Sequence, residues 1–484
     1  MIIIKLNEMK LFFTILLVSN FFFSFAQKQD YNWCFGDSAG INFNTSPPTT
    51  FQSSINSTEC ATNFSDRYGN LLFYAGGNVN DFYKIFVWSK DNTMMQNGNY
   101  IYGHTSVTNG VLVIPFNTDT NKFYVFHIYG NLYKSIVDLS FNNGLGKVIL
   151  KNSIVYNTQQ ISEKLTAIRH ANGRDWWLIL HQNDNNTFVK FLIANDVIFG
   201  PFLQSIGSVY ATSYGGDYGE MEVSADGDKI AATNLLGVID LFDFDRCTGE
   251  LSNWLNLSNY SSNYFAQTYG CSFSSKGTQL YITKADSLFQ FDLTSTDITG
   301  SMQTIWVNAN PNNQSLGQMQ LAPDGKIYVA NVSGMSFPNN NFDSLNMNLS
   351  VINFPNSIGV ACDFQPYSFS LNGRRSYFSL PNIPNYNLGS LEGSECDTLT
   401  SNENSFIHEN LKIYPNPTND LLFIESIDNK CINIQLINNK GQLLETIKIN
   451  SIQTAIDLDK FPVGLYILKI ISKNGMTIKK IIKT

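Results

Sequence analysis

Five histidines are the scarcest groups in the 484-residue sequence that could ligate a metal or move a proton: His104, His127, His170, His181 and His408. His170 and His181 bracket HANGRDWWLILH. A hairpin folded about Asn172 and Gly173 places His170 opposite Asp175, and His181 then lies six residues further along the strand. At ~3.3 Å per residue that is roughly 20 Å, too far for one metal ion. No G-x-S-x-G elbow occurs, and HTSVTNG around His104 has no placed acid partner for a serine nucleophile. SADGD and APDGK look like fragments of calcium loops. A D-G pair at a hairpin turn demands φ > 0, however, and that accounts for both residues without a cation. Gly215, Gly216 and Gly219 do not fit a dinucleotide fingerprint and no P-loop is present. The sequence therefore gives no ground for a catalytic residue, a metal site or a cofactor.

Carboxylates and rings remain. Glu59, Glu163, Glu220 and Glu222, with Gln318, fall in or near short runs of small and apolar residues that precede turns. Converging acids could bind a cation or a sugar or act as an acid/base pair, and a solvated rim is the plainer account. Trp176, Trp177, Tyr210, Tyr214, Tyr218 and Tyr269 pose a similar choice between stacking surface and core.

The elements that must position these groups repeat. Turns appear around Gly69, Asn121, Gly173, Gly227, Gly277, Gly325 and Gly373, in steps of 48 to 54 residues. Before most of them stands a strand such as GEMEVS, GCSFSS or GQMQLA, and after them a second and often a third strand. A repeat of roughly 40–50 residues with about four strands is the sign of a β-propeller, whose sheets must stack in a ring to cover both faces. Seven turns predict seven blades, with six or eight as the range. The last turn is followed by one strand, SYFSLPNI, and NWCFGDSAGINFN near the start can supply what that blade lacks. In a propeller the first strands line the central channel, which places Glu59, Glu163, Glu220 and Gln318 at one face as the expected ligand-binding residues.

Composition agrees with an all-β chain: 43% of residues are hydrophobic, 13% aromatic and 14% charged. The ends differ from the body. MIIIKLNEMK and LFFTILLVSNFFFSF, closed by Ser24, Phe25 and Ala26, predict a signal peptide over 1–26. No later run reaches ~18 apolar residues, so no transmembrane segment is expected in the mature chain. Net charge is -8 overall; the part from Ser405 onward carries ten Lys against seven acidic residues, leaving an acidic body that disfavours nucleic acid as a partner. IYPNPTNDLLFIES, behind a polar spacer, marks a separate unit, its two prolines forming a rigid lead-in to LLFIES. The expected division is propeller 27–390, linker 391–408 and C-terminal unit 409–484.

That last unit resembles the type A sorting domain of type IX secretion cargo, through KIYPNPTNDLLFIE, Gly441 in NNKGQLLE, DLDKFPVGLYILKI, Gly475 and the terminal KKIIKT. The resemblance implies a small Ig-like β-sandwich that engages the type IX secretion machinery and directs the chain across the outer membrane. Alternating runs such as INIQLI and LYILKI agree with a sandwich. The body resembles, more loosely, secreted propeller proteins that accompany such tails in gliding Gram-negative bacteria, through NWCFGDSAGINF, ECATNFSDRYGNLLFYAGG, EKLTAIRHANGRDWW, FDFDRCTGELSN and LPNIPNY. It implies architecture and a secreted or cell-surface address, and no reaction.

Together these features predict an exported propeller that binds or adheres to a surface glycan or protein, against the alternative of a hydrolase or lyase acting on extracellular polysaccharide. Seven cysteines in an exported chain permit disulfides. Cys60 and Cys362 precede Gly69 and Gly373 by similar distances, so both are expected at innermost strands of neighbouring blades, paired across the ring closure; Cys247 and Cys271 make a poorer pair.

Overall fold

The computed structural model describes residues 27–258, 268–309, 314–333, 345–397, 411–426, 432–438, 442–449, 453–472 and 475–484. The expected signal peptide, most of the spacer, His408 and Cys431 lie outside them.

Six antiparallel four-stranded sheets follow one another along the chain, each in simple sequence order from its inner to its outer strand or the reverse. The third shows why the pattern recurs. Its strands are Ile161–Arg169, Trp176–Gln182, Thr187–Ala194 and Val197–Ser205. WWLILHQ is buried at every position because neighbouring blades cover both faces of an inner strand, whereas VIFGPFLQS, at the outer edge, is half-exposed or exposed throughout. Aromatic and β-branched residues suit this stacking, and they dominate the core. The turns at Gly69, Asn121, Gly173, Gly227, Gly277 and Gly325 join the first strand of a blade to its second, as expected. Gly227 takes φ +78°, the left-handed region that strains a residue carrying a Cβ.

The seventh blade closes the ring by a different route. Asn32–Phe35, Asp37–Asn42 and Thr49–Asn56 form a three-stranded sheet. Residues 375–380 meet it once and then pass toward the channel: Asp37 N–H donates to Arg375 O at 2.9 Å, whereas Phe378 bonds to Thr58 of the first blade and Gln318 of the sixth. The N-terminal stretch thus closes the ring, contributing three strands. SYFSLPNI is not a strand, since its backbone turns away after the single bridge between Asp37 and Arg375.

Instead, residues 378–391 thread the channel. Asn382 N–H donates to Ala61 O, its amide Nδ2 to Leu165 O at 2.9 Å and to Asn109 O at 3.3 Å, and Tyr386 OH to Val113 O at 2.8 Å. Leu391 N–H reaches Ala171 O, and Arg246 donates to Gly389 O. The channel is a plugged core.

Cys247 and Cys396 form a disulfide, while Cys60 and Cys362 are free and buried. The Cys60–Cys362 expectation fails because the Gly373 turn is not a first hairpin: it follows Phe364–Ser370, the outermost strand of the sixth blade. Cys362 accordingly sits in a short 3-10 turn between that blade's two outer strands, and Cys60 sits on the channel side of the first blade. The bond to Cys247, in the fourth blade's outer hairpin, holds residues 391–397 to the propeller, so the ordered body runs past the expected boundary at 390.

The C-terminal unit packs a three-stranded sheet, with Leu411–Tyr414, Leu421–Ser426 and Gln453–Asp457, against a four-stranded one around Leu422, Ile434, Leu436, Leu468 and Ile481. YPNPTND connects the first two strands and so follows the first one. Asn416 and Thr418 bond to Lys480 and Ile482, fastening the terminal strand. The Lys483 ammonium is buried on three carbonyls, those of Leu458, Asp459 and Phe461.

Candidate binding site at the channel mouth

At the end where first strands begin, backbone bonds pass from blade to blade. Glu59 N–H donates to Thr105 O, Asn109 N–H to Glu163 O, Glu163 N–H to Asp217 O and Glu220 N–H to Tyr269 O, at 3.0–3.3 Å. This ring fixes the backbone under the side chains that converge there. They enclose a cavity of about 510 Å³ lined by Glu59, His104, Ser106, Glu163, Tyr269 and Phe378, among others. The plug separates it from a second cavity of about 140 Å³ at the far ends of the first strands, lined by Asp30, Arg169, Glu222 and Asn385 among others.

Glu59 accepts from Ser106 Oγ at 2.6 Å. Glu163 accepts from both the N–H and the hydroxyl of Thr108, at 3.0 and 2.7 Å, and both bonds go to Oε2. The Tyr269 hydroxyl stands 3.2 Å from that same Thr108 hydroxyl. Burial pushes the Glu59 carboxyl up to about 7. Burial also raises Glu163 well above the ordinary carboxylate range, with the facing Glu59 adding to it. Two acids in one poorly solvated cavity cannot both ionise cheaply, so near neutrality the pair retains at least one proton and can donate as well as accept hydrogen bonds. His104 takes the Ser106 N–H on Nδ1 at 3.0 Å, which leaves its proton on Nε2, and burial lowers its basicity.

The four residues expected to bind ligand separate into two pairs. Glu59 and Glu163 line the cavity. Glu220 and Gln318 are almost wholly buried and engaged with the backbone: Glu220 Oε2 accepts from Cys271 and Met319 N–H, and Gln318 receives Leu380 N–H and donates to Thr108 O. Glu222 lines the opposite cavity. Of the rings singled out by sequence, Trp176, Trp177, Tyr210 and Tyr269 are buried and Tyr218 is exposed; the Tyr214 side chain is outside the described set. Lys164, also buried, donates to the carbonyls of Asp217, Tyr218 and Gly219 and so holds that loop at the mouth.

Sequence reasoning missed Tyr83, Tyr102 and Tyr129, which are 58%, 42% and 43% exposed at the same end. Tyr83 stands in a connection and Tyr102 and Tyr129 at the last positions of strands, where no period announces them. Among the described residues no group of three or more His, Cys, Asp or Glu is placed to hold a metal ion. His170 and His181 are each spent on backbone: His170 donates to Cys247 O, and His181 Nδ1 to Gln182 O.

Burial of these groups ties stability to pH with a definite sign. Glu59 and Glu220, at about 7 and about 8 in the folded chain against an ordinary 4.5, keep protons that the unfolded chain has released, so stability falls as pH rises through these values. The buried imidazoles act oppositely. His127 and His181 lie at about 3 and His170 at about 4, against 6.5, so they weaken the fold as pH drops below 6.5 and are silent above it. Lys164 and Lys190, at about 8, enter only above that value. Between pH 6.5 and 8 the carboxyls alone set the slope. Stability is expected to fall there by about 1.4 kcal/mol per pH unit for each titrating carboxyl, and Glu220→Gln should flatten the fall. Chemical denaturation across the window checks this; a flat or rising wild-type profile contradicts it.

Residues 412–484 match the family described as the secretion system C-terminal sorting domain. No curated protein matches the chain in sequence. Among solved structures, the chain is similar to PorZ, a bacterial surface component of the type IX secretion system of Porphyromonas gingivalis, at 11% identity and a TM-score of 0.38, over 92% of this chain and 62% of PorZ. It is also similar to the periplasmic gluconolactonase PpgL of Pseudomonas aeruginosa, at 13% identity and a TM-score of 0.37, over 79% of this chain and 98% of that one. A third is the β-propeller domain of Cps50 (Swd1) from Myceliophteria thermophila, at 10% identity and a TM-score of 0.38, over 64% of this chain and 97% of that one. No described helix is long and apolar enough to cross a membrane. The chain is a secreted or cell-surface β-propeller that carries a type IX secretion C-terminal sorting domain.

Proposed function

We propose that the protein is an extracellular binding or adhesion module whose ligand enters the cavity at the channel mouth. The observation that supports this best is the pairing of Glu59 and Glu163 in one cavity of about 510 Å³, each held by hydroxyl donors and set on a rigid ring. Glu220 and Gln318 would serve the site from beneath, by fixing the strands, without touching the ligand.

A second reading has its own support. A carboxyl kept protonated near neutral pH is suited to general acid catalysis, and two in one cavity could divide acid and base roles in cleaving an extracellular polysaccharide. One experiment separates them: incubate the purified full-length protein with a glycan panel, following binding and product release. Saturable binding without turnover, weakened at least about tenfold by Glu163→Gln (about 1.4 kcal/mol, of the order of one hydrogen bond), supports the module. Turnover that Glu163→Gln abolishes establishes the enzyme.

A further inference from the structure

Beyond the cavity rim a row of aromatic rings runs outward over the first two blades. His104, in the cavity wall, has the Tyr83 ring at 5.3 Å between centroids. Tyr83 meets Tyr129 at 6.3 Å, Tyr129 meets Tyr102 at 6.4 Å, and Tyr102 meets Tyr133 at 5.5 Å. Each is set by a different connection: Tyr83 precedes Lys84–Ser89, Tyr102 ends the outer strand Ile101–Tyr102, and Tyr129 stands at the tight hairpin into Asn131–Asp138. Three of these rings leave about half of their surface to solvent. Tyrosines placed so are not core that failed to be covered, because Tyr133 and His127 stack beneath them at 5.7 Å and already complete the packing there.

We infer that the ligand of the mouth is a neutral glycan chain, and that Tyr83, Tyr129 and Tyr102 form a stacking track carrying its further sugar units outward from the cavity. The inference rests on the proposal that the cavity binds a ligand. Three observations favour a sugar. The exposed rings are tyrosines, which offer an apolar face to the C–H surface of a pyranose and a hydroxyl to its edge. The rings meet edge-on or tilted at 6.3 and 6.4 Å and stay 42–58% exposed, so they form a continuous aromatic surface leading away from the cavity. The cavity they lead to presents hydroxyls and carboxyls that can donate and accept, the complement of a polyhydroxylated ligand, and Lys84 Nζ lies 5.5 Å over the Tyr102 ring.

The test uses the purified full-length protein and graded series of neutral β-linked gluco-, manno-, xylo- and N-acetylglucosamine oligosaccharides, from monosaccharide to hexasaccharide, by calorimetry. Affinity is expected to rise with chain length for at least one series. Tyr102→Ala and Tyr129→Ala should each cut hexasaccharide affinity about tenfold and leave the monosaccharide unchanged, whereas Tyr102→Phe should keep the gain. These side chains are exposed, so the variants should fold; equal melting temperatures verify that. Glu163→Gln should weaken every length alike. If alanine at both tyrosines leaves the length dependence intact, the track is wrong and the cavity proposal stands. If the tyrosines matter and Glu163→Gln does not, the cavity proposal falls alone. Binding of unstructured peptides with no sugar bound, or no binding by any series, overturns the glycan assignment.

Discussion

A chain ended after Asp397 is expected to fold as a complete propeller and to stay in the periplasm. Everything that closes the ring lies before that point: the seventh blade, the plug and both halves of the Cys247–Cys396 bond. Everything matched to the sorting family lies after it, at 412–484. The two units have separate cores, since the residues around Leu422, Ile434 and Leu468 pack among themselves. Among the described residues, Lys480 Nζ lies 3.3 Å from His170 Nε2, a ring nitrogen that already donates to Cys247 O. Loss of the tail should therefore leave the melting temperature of the propeller within a few degrees of the full chain. Export should drop to background, with the shortened chain recovered by osmotic shock. Equal amounts of both chains in the medium or on the cell surface would end the sorting role.

Much of this fold is legible in the sequence because a propeller repeats its most constrained feature. A hairpin between first and second strands needs φ > 0 at one residue, and Gly69, Gly173, Gly227, Gly277 and Gly325 recur in that role. The same periodicity put Glu59 and Glu163 at one end of the channel. The N-terminal share in ring closure was legible in NWCFGDSAGINFN, but the path of SYFSLPNI was not, because closure joins residues as far apart as Asp37 and Arg375, 338 positions along the chain, and leaves no local pattern. The disulfide was hidden for a related reason. Cys396 stands in what composition marks as a spacer, and only the tertiary path of residues 378–391 brings it to Cys247. Tyr83, Tyr102 and Tyr129 were illegible because exposure depends on what covers a ring, and Trp176 and Trp177, equally aromatic, are covered by neighbouring blades.

Ending the chain at Asn372, only twenty-five residues earlier than Asp397, is expected to prevent folding. The missing segment satisfies buried groups in most blades. Without it Thr58 O, Ala61 O, Asn109 O, Val113 O, Leu165 O and the Gln318 side chain lose the partners the plug supplies. At ~0.5–1.5 kcal/mol net for each hydrogen bond exchanged for water, the loss is a large share of the stability of an ordinary domain, about 5–15 kcal/mol. The apolar loss adds to it, since Tyr386 packs edge-on against Phe64 and Trp176, at 4.9 and 5.8 Å, in the centre of the ring. Two point variants grade the effect. Asn382→Ala strands the Asn109 and Leu165 carbonyls and should cost about 2–4 kcal/mol. Cys396→Ser opens a loop of 149 residues, worth about 5 kcal/mol by chain entropy and typically 2–4 kcal/mol in practice. Denaturant unfolding of the three variants beside the chain ended at Asp397 measures the order. A chain ended at Asn372 that unfolds cooperatively at the same midpoint would mean the plug rests in the channel without holding it, and the ring would have to be closed by the N-terminal sheet alone.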